Sequence, residues 1–315
     1  MNVTVVHNED AGHGDEGRRD LKRWIVRAGH SPSFCVVEDV EQLAARLRDP
    51  GDLVVVAGGD GSVRAVGKAL AGRQVPLTIL PMGTANNVAS HLGLCGDIDA
   101  LIEQWPTFEP RPFDVGTVSA PWGRDVFFEA CGFGALARTM AALSPVEAPP
   151  SDDGTPDDEL MRDLEVAREM LADHPLHEVE VEADGEHLTG TYAVVEALNI
   201  RSIGANVTLS RDAREGDGLL DLVLVDADGR RLLRDYLTAR LDALAEGDRS
   251  RQPVLDLPVR RARAITLRWS GSRVHVDDEI VPDEEHASSG RHWVDGQCTL
   301  EIGVMPGALT MLAPR

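Results

Sequence analysis

The chain has 315 residues, 43% of them hydrophobic, and a formal net charge of −22 at pH 7. That length and apolar content can bury a large core and favour two domains over one, while the acidity speaks against nucleic acid and against tight electrostatic binding to an anionic membrane. Lysine occurs only at Lys22 and Lys68, a balance that fits either a high-salt cytoplasm or simply a well-solvated acidic surface. Cys35, Cys95, Cys131 and Cys298 lie far apart with no C-x-x-C pair, which points to reduced thiols and a cytoplasmic protein rather than a disulfide frame or zinc site. The opening MNVTVVHNEDAGHG lacks the basic start and apolar run of a signal peptide, and no later stretch has the length of a membrane span.

In chain order, the first third alternates strand and helix patterns. VTVVHN reads as a strand and 16–28 as an amphipathic helix closed by Gly29; SFCVVED is a second strand, and VEQLAARLRD a helix stopped by Pro50-Gly51. LVVVAGGDGSVRAVGKAL, from Leu53 to Leu70, gives a third strand and a helix with Ser62 as its N-cap. VPLTIL is a fourth strand leading into the turn and helix of PMGTANNVASHLGL, and DIDALIEQW makes one more helix. Repeated βα units predict an α/β N-terminal domain over residues 1–112 with a parallel, doubly wound sheet. Beyond PRPF the runs become short, alternating and turn-bounded. They predict a larger antiparallel β-sandwich over 113–315, with one helix near 159–171 and another near 231–245. The C-terminal tail is free to return to the first domain, and a cleft is expected between the two. SPVEAPPSDDGTPDDE (144–159) reads as a mobile loop.

Two glycine turns carry the chemistry. Gly58, Gly59 and Gly61 remove side chains where the third strand turns into a helix, and Asp60 stands at the strand's carboxyl end. Alone, this is equally a tight turn with a solvated acid. TILPMGTANNVA repeats the device one βα unit later with Gly83, Thr84 and Asn86, and the first strand ends in the small-residue loop HNEDAGHG. Three such strand ends in one sheet suit the phosphates of a nucleotide, with N–H groups from the glycines, hydroxyls from Ser62 and Thr84, and amides from Asn8 and Asn86. Asp60 could orient a Mg²⁺–water network or polarise an acceptor hydroxyl. The histidines show no ligand spacing such as H-E-x-x-H.

With these residues in view, the sequence resembles the diacylglycerol kinase catalytic-domain family, which includes bacterial soluble lipid kinases and sphingosine and ceramide kinases. AGGDGSVRAV is similar to its GGDG[TS] motif, LPMGTANNVA to its P-x-G-T-x-N motif, and NEDAGHG to a degraded NP-x-[SA]-G opening. EGDGLLDLVLV resembles its D-G-x-L-D strand and VHVDDEI its V-D-G-E motif, all in the family's order. The resemblance implies ATP, Mg²⁺ and phosphoryl transfer to the free hydroxyl of a diacylglycerol- or sphingoid-type lipid in phospholipid metabolism. The net charge of −22 and the lack of a hydrophobic anchor add the expectation of transient membrane contact and no nucleic acid, and both are compatible with a homodimer. Asp277 and Glu279 match the family's late acids; two apart in a strand, they would share one face. The general base is then Asp277 or Asp60, with Glu279 assisting through metal or water. The family's structural Mg²⁺ maps to Asp217 with the backbone of Leu219, although an ordinary Asp-Gly turn explains Asp217 nearly as well.

Three positions depart from the family. Asn87 stands where many members carry an acid, Glu9 replaces a proline, and Asp278 replaces the glycine of V-D-G-E. A second late motif, WVDGQCTLEI, keeps the glycine but has Gln297 in place of the acid. A kinase needs a carboxylate there rather than an amide, which favours 277–279 over 295–297. Two alternatives stay open: a non-catalytic nucleotide- or lipid-binding homologue, and a kinase of a soluble substrate like the NAD kinases and phosphofructokinases, which share GGDG.

Overall fold

The computed structural model describes residues 1–7, 14–36, 40–143, 155–248, 251–270, 273–281 and 297–315. They divide into two compact units: unit 1 comprises Met1–Val115, Glu215–Gly218 and Met305–Arg315, and unit 2 comprises Gly116–Arg214 and Leu219–Val304.

Unit 1 is α/β. It runs β1 (Asn2–His7), α1 (Gly14–Arg27), β2 (Ser31–Cys35), α2 (Val40–Arg46), β3 (Leu53–Gly58), α3 (Asp60–Leu70), β4 (Pro76–Pro81), α4 (Asn87–His91) and α5 (Ile98–Gln104). β1 lies between β2 and β3, β4 flanks β3, and every pairing is parallel. β3 is buried at each position, as a run of stiff valines suits a strand covered on both faces. From β1 the chain steps out to β2, then reverses past β1 to reach β3. Right-handed crossovers then place α1 on one face and α2 and α3 on the other, which agrees with α1 packing on α5 and α2 packing on α3. The reversal parts the carboxyl ends of β1 and β3, where an open α/β sheet leaves room for a ligand. The end of the chain extends the sheet. Thr310 and Met311 pair in parallel with Pro76 and Leu77, and Thr78 Oγ1 donates to the Leu312 carbonyl at 2.8 Å.

Unit 2 is built on antiparallel sheets. β5 (Glu109–Ala120) enters it at Gly116, followed by β6 (Gly123–Phe127), β7 (Ala130–Gly134), α6 (Ala135–Leu143), α7 (Pro156–Asp173), β8 (His177–Ala183), β9 (Glu186–His187), β10 (Gly190–Tyr192) and β11 (Val194–Leu198). Then come β12 (Ser202–Ile203), β13 (Val207–Thr208), β14 (Leu220–Val225), α8 (Ala227–Ala245), β15 (Val259–Ala262), β16 (Ala264–Trp269), β17 (Val274–Val276), β18 (Glu279–Val281) and β19 (Cys298–Ala313), which leaves unit 2 at Met305. One sheet has the order β15-β14-β11-β7-β17-β18; a second joins β10, β8, β16 and β19. Alternate residues of both sheets, among them Phe133, Val195, Ala197, Val181, Leu267 and Leu300, form a shared apolar core in which Phe133 stacks on Trp269 at 4.3 Å. The opposite face of the first sheet, with Val194, Leu198, Val223 and Val225, is covered by Leu136 of α6, Leu160 and Leu164 of α7, and Leu233 and Leu237 of α8.

The structure departs from the sequence reading at several elements. α6 follows β7 without a loop, and its Ala/Leu/Met-rich sequence has high helix propensity that the apolar stretch before it obscured. Ser62 is inside α3 rather than its cap; Gly59 is the N-cap, and its carbonyl accepts from Ser62 N and Val63 N. The acidic end of the expected 144–159 loop is already helix, because Thr155 and Asp158 form a reciprocal capping box at the start of α7; residues 144–154 lie outside the described residues. ANVTLS shortens to a two-residue strand, while TLEIGV is the first part of the long β19.

Candidate functional site

The two glycine turns of unit 1 meet backbone to backbone. A Cβ on Gly83 would lie 2.6 Å from Gly59 Cα, and one on Gly59 would lie 3.1 Å from Gly83 Cα. Glycine is therefore required here first by contact between the turns. Asp60, at the first turn of α3, joins them: its carboxylate accepts from Asn87 N at 2.9 Å and Val88 N at 3.1 Å, the opening N–H groups of α4. Asn86 sits in the left-handed region at φ 51 and folds back on its own loop, accepting from Gly83 N at 2.9 Å and donating to the Gly83 carbonyl. Its amide thus shapes the loop. Gly61 is exposed, Ser62, Gly83, Thr84 and Asn86 are half-buried, and Asn87 is buried. Gly58 ends β3 opposite Pro81 of β4, and its carbonyl accepts from Met82 N at 3.1 Å. Asn8 lies outside the described residues.

Asp217 belongs to a second tied turn of unit 1, Glu215–Gly218. Its fastener is Asp114, fully buried, whose two carboxylate oxygens accept from Gly218 N at 2.6 Å and Gly307 N at 2.7 Å. Both glycines are in the left-handed region, at φ 74 and φ 57. Glu215 Oε2 lies 3.0 Å from His91 Nε2, at the end of α4, and Glu215 Oε1 lies 2.7 Å from Arg111. Burial alone would push the Glu215 carboxyl up, but the His91 hydrogen bond, its own main chain and the His91 and Arg111 charges outweigh it and hold the group down to about 2. Among the described residues no three His, Cys, Asp or Glu side chains are grouped as a metal site. Asp217 with the Leu219 carbonyl would leave most of an octahedral shell to water.

In unit 2 the late acids form a hairpin. Val276 of β17 pairs with Glu279 of β18, so Asp277-Asp278 is the turn between them, and Asp277 takes a left-handed φ of 53. Strand alternation therefore does not apply, and Asp277 and Glu279 do not share a face. Asp277 is 6% exposed, and its carboxylate accepts main-chain N–H groups from Phe128, Glu129 and Ala130 at 2.8–3.3 Å. Its own N–H donates to the Ala130 carbonyl at 2.8 Å. Asp278 and Glu279 are exposed. Asp295 and Gly296 of the rival motif lie outside the described residues.

The structure thus gathers Gly58, Gly59, Asp60, Gly61, Ser62, Gly83, Thr84 and Asn86 at adjoining turns of unit 1 and sets Asp277 and Glu279 on one hairpin of unit 2. Sequence reasoning missed Asp114, Glu215, Arg111, His91, Glu196 and His275. A lone acid in PFDVG has no motif to mark it, and the histidines were tested only against metal-ligand spacing.

Residues 2–118 match the family model of the diacylglycerol kinase catalytic domain, and residues 162–313 match that of the YegS C-terminal NAD kinase beta sandwich-like domain. A diacylglycerol kinase of Mycobacterium tuberculosis (strain CDC 1551 / Oshkosh) is 26% identical over 332 residues, covering 99% of this chain and 95% of that protein. A diacylglycerol kinase of Bacillus subtilis (strain 168) is 29% identical over 177 residues, 55% of each chain. The crystal structure of a diacylglycerol kinase from Bacillus anthracis str. Sterne superimposes with a TM-score of 0.68 at 17% identity, covering 99% of this chain and 96% of that one.

Proposed function

This chain belongs to the diacylglycerol kinase catalytic-domain family, and from that premise we propose that it transfers the γ-phosphate of ATP to the hydroxyl of a diacylglycerol- or sphingoid-type lipid. The observation that supports this most is the pair of glycine turns locked together by Asp60 at the starts of α3 and α4. The glycine turn into α3 offers main-chain N–H groups and a favourable dipole to phosphate, the opening N–H groups of α4 being taken by Asp60, and Ser62 and Thr84 add hydroxyls. Unit 1 is the nucleotide-binding part on this reading, and unit 2 supplies the lipid-binding walls and the acid hairpin.

Phosphoryl transfer asks mainly for positioning, charge neutralisation and a group to take the hydroxyl proton. Glu279, exposed at the start of β18, suits the last role better than Asp277, whose oxygens are occupied by the main chain of 128–130. Asp60 orients the nucleotide end. Mg²⁺ would arrive with ATP, held chiefly by the phosphates, and would neutralise phosphate charge; both Asp60 oxygens accept main-chain N–H groups, so Asp60 acts by setting the turns around the phosphates, and Asn87 adds no second acid. Among the described residues no helix is long and apolar enough to cross a membrane. With the net charge of −22, contact with the bilayer is then transient and rests on local apolar groups, in a cytoplasmic enzyme.

The test is transfer of radiolabelled γ-phosphate from ATP to a panel of diacylglycerols, sphingoid bases, NAD and sugar phosphates. Labelling of a lipid supports the proposal. Labelling of NAD or a sugar phosphate overturns the lipid assignment, and ATP binding with no transfer establishes the non-catalytic alternative.

A further inference from the structure

Glu196, Gly132 and His275 stand in one row across three neighbouring strands: Gly132 of β7 is in register with Glu196 of β11 on one flank and His275 of β17 on the other. Each alternates with residues of the sandwich core, namely Val195 and Ala197, Cys131 and Phe133, and Val274 and Val276. The row therefore faces the helices, and α6 packs on β7, β17 and β18. Over the bare glycine the two neighbours meet. His275 Nε2 lies 2.7 Å from Glu196 Oε2, and a Cβ on Gly132 would fall 2.1 Å from that same oxygen. Both side chains are 0% exposed, so neither can touch a substrate.

The geometry fixes the proton count. His275 Nδ1 lies 2.9 Å from the main-chain oxygen of Asp277. A carbonyl only accepts, so Nδ1 carries a hydrogen. Between Nε2 and Oε2 there is then one proton: with none, two lone pairs would face each other, and with two, the hydrogens would collide. The pair is neutral overall, as imidazolium with carboxylate or as imidazole with carboxylic acid. Burial pushes the Glu196 carboxyl up; burial pulls the His275 imidazole down, but the Glu196 carboxylate and the Asp277 main chain more than offset this and raise it. Glu196 Oε1 has no hydrogen-bond partner among the described residues, so the carboxyl depends on His275.

We propose that Glu196 and His275 are a buried positioning pair for the transfer reaction, holding the Asp277 carbonyl so that the hairpin turn aims Glu279 at the lipid hydroxyl. The idea rests on the reading of Glu279 as proton acceptor. The Asp277 side chain already ties the turn to residues 128–130; the pair fixes the other side of the same residue. It thereby sets the direction in which the chain leaves the left-handed Asp277 toward Glu279.

The test compares His275→Gln with His275→Asn in the full chain, well below the melting temperature of each. The Asn amide nitrogen occupies the place of Nδ1 and can still donate to the Asp277 carbonyl, whereas the Gln amide reaches toward Glu196 instead. A misplacement of about 1 Å at a reacting group can cost on the order of 10²-fold, so H275Q should lose roughly ten- to a hundredfold in kcat with KM for ATP unchanged, and H275N should recover most of that loss. Equal kcat in folded H275Q and the parent overturns the proposal. Should H275Q not fold, Glu196→Gln and Glu196→Leu repeat the comparison: Gln can donate to Nε2 and keep the Nδ1–H tautomer, Leu cannot, and equal kcat in both again overturns it. If the parent labels no lipid, or Glu279→Gln leaves transfer intact, the functional reading fails instead. The pair is then judged by amide hydrogen exchange at 277–279, where faster exchange in H275Q than in H275N supports it and equal protection refutes it.

Discussion

Asp114→Ala should unfasten the Glu215–Gly218 turn, and its cost can be worked from the geometry. Asp114 is 0% exposed and accepts two short main-chain hydrogen bonds, 2.6 Å from Gly218 N and 2.7 Å from Gly307 N. Hydrogen bonds to a charged group contribute about 1.5–3 kcal/mol each, and a buried donor left without an acceptor costs about 1–3 kcal/mol. Alanine supplies no acceptor for either glycine, so a loss of about 3–5 kcal/mol is expected. Both glycines need that tether, because their left-handed backbone would otherwise relax to other conformations. For a domain of this size the loss corresponds to a fall in Tm of about 8–16 °C. Differential scanning calorimetry can read it, and because Asp114, Gly218 and Gly307 all belong to unit 1, the shift should fall on the transition that unit 1 shares. Asp114→Asn should recover little, since its NH₂ would face one of the two donors. A D114A melting curve within about 2 °C of the parent would refute the assignment of Asp114 as the fastener.

Other outcomes follow from the same structure. Gly83→Ala should cost both stability and ATP binding, more than Gly59→Ala does, because the new methyl would lie 2.6 Å from Gly59 Cα as against 3.1 Å for the reverse; isothermal titration with ATP beside melting curves checks the order. His174, whose Nε2 lies 3.1 Å from that of His177, is lowered to about 4 by burial first and then by the charges of His177, Arg138 and Arg230. Its neutral form is favoured in the fold, so its contribution is present above pH 6.5 and is lost as the pH falls toward 4, by up to about 3 kcal/mol; urea titrations of the parent and His174→Gln across that range should converge at high pH and diverge at low pH in favour of H174Q. Cys95 is exposed, while Cys35, Cys131 and Cys298 are buried, with burial pushing the Cys298 thiol up to about 12. Native labelling with a thiol reagent should therefore modify Cys95 and leave the other three until denaturation.

The alternating βα pattern made unit 1 legible because each signal is local: stiff apolar strands, helix-spaced apolar residues and glycine turns at fixed offsets. The same locality located Asp60, Gly59 and Gly83 at the ends of adjacent strands. It could not show that the two glycines touch, which depends on the pairing of β3 with β4. Asp277 illustrates the limit better. VHVDDEI alternates like a strand on paper, yet Asp277 is the left-handed corner of a hairpin, and its three N–H donors come from residues 128–130. Nothing in the neighbourhood of position 277 announces partners so distant along the chain. The Glu196–His275 pair was hidden for the same reason, since three strands must be laid side by side before Gly132 is seen to make room for both. α6 escaped notice because its apolar residues continue those of β7 without a polar break.

The most direct measurement is the single-turnover transfer of radiolabelled γ-phosphate from ATP to a lipid hydroxyl, made on the parent, Asp60→Asn and Glu279→Gln, each with its melting curve. Parent labelling of a diacylglycerol or sphingoid base, with E279Q equally folded and slowed by about 10²–10⁴-fold and D60N nearly inactive and less stable, because its NH₂ would face one of the two α4 N–H donors, is the predicted result. A parent that binds ATP yet labels no lipid, or variants that transfer as fast as the parent, would contradict it.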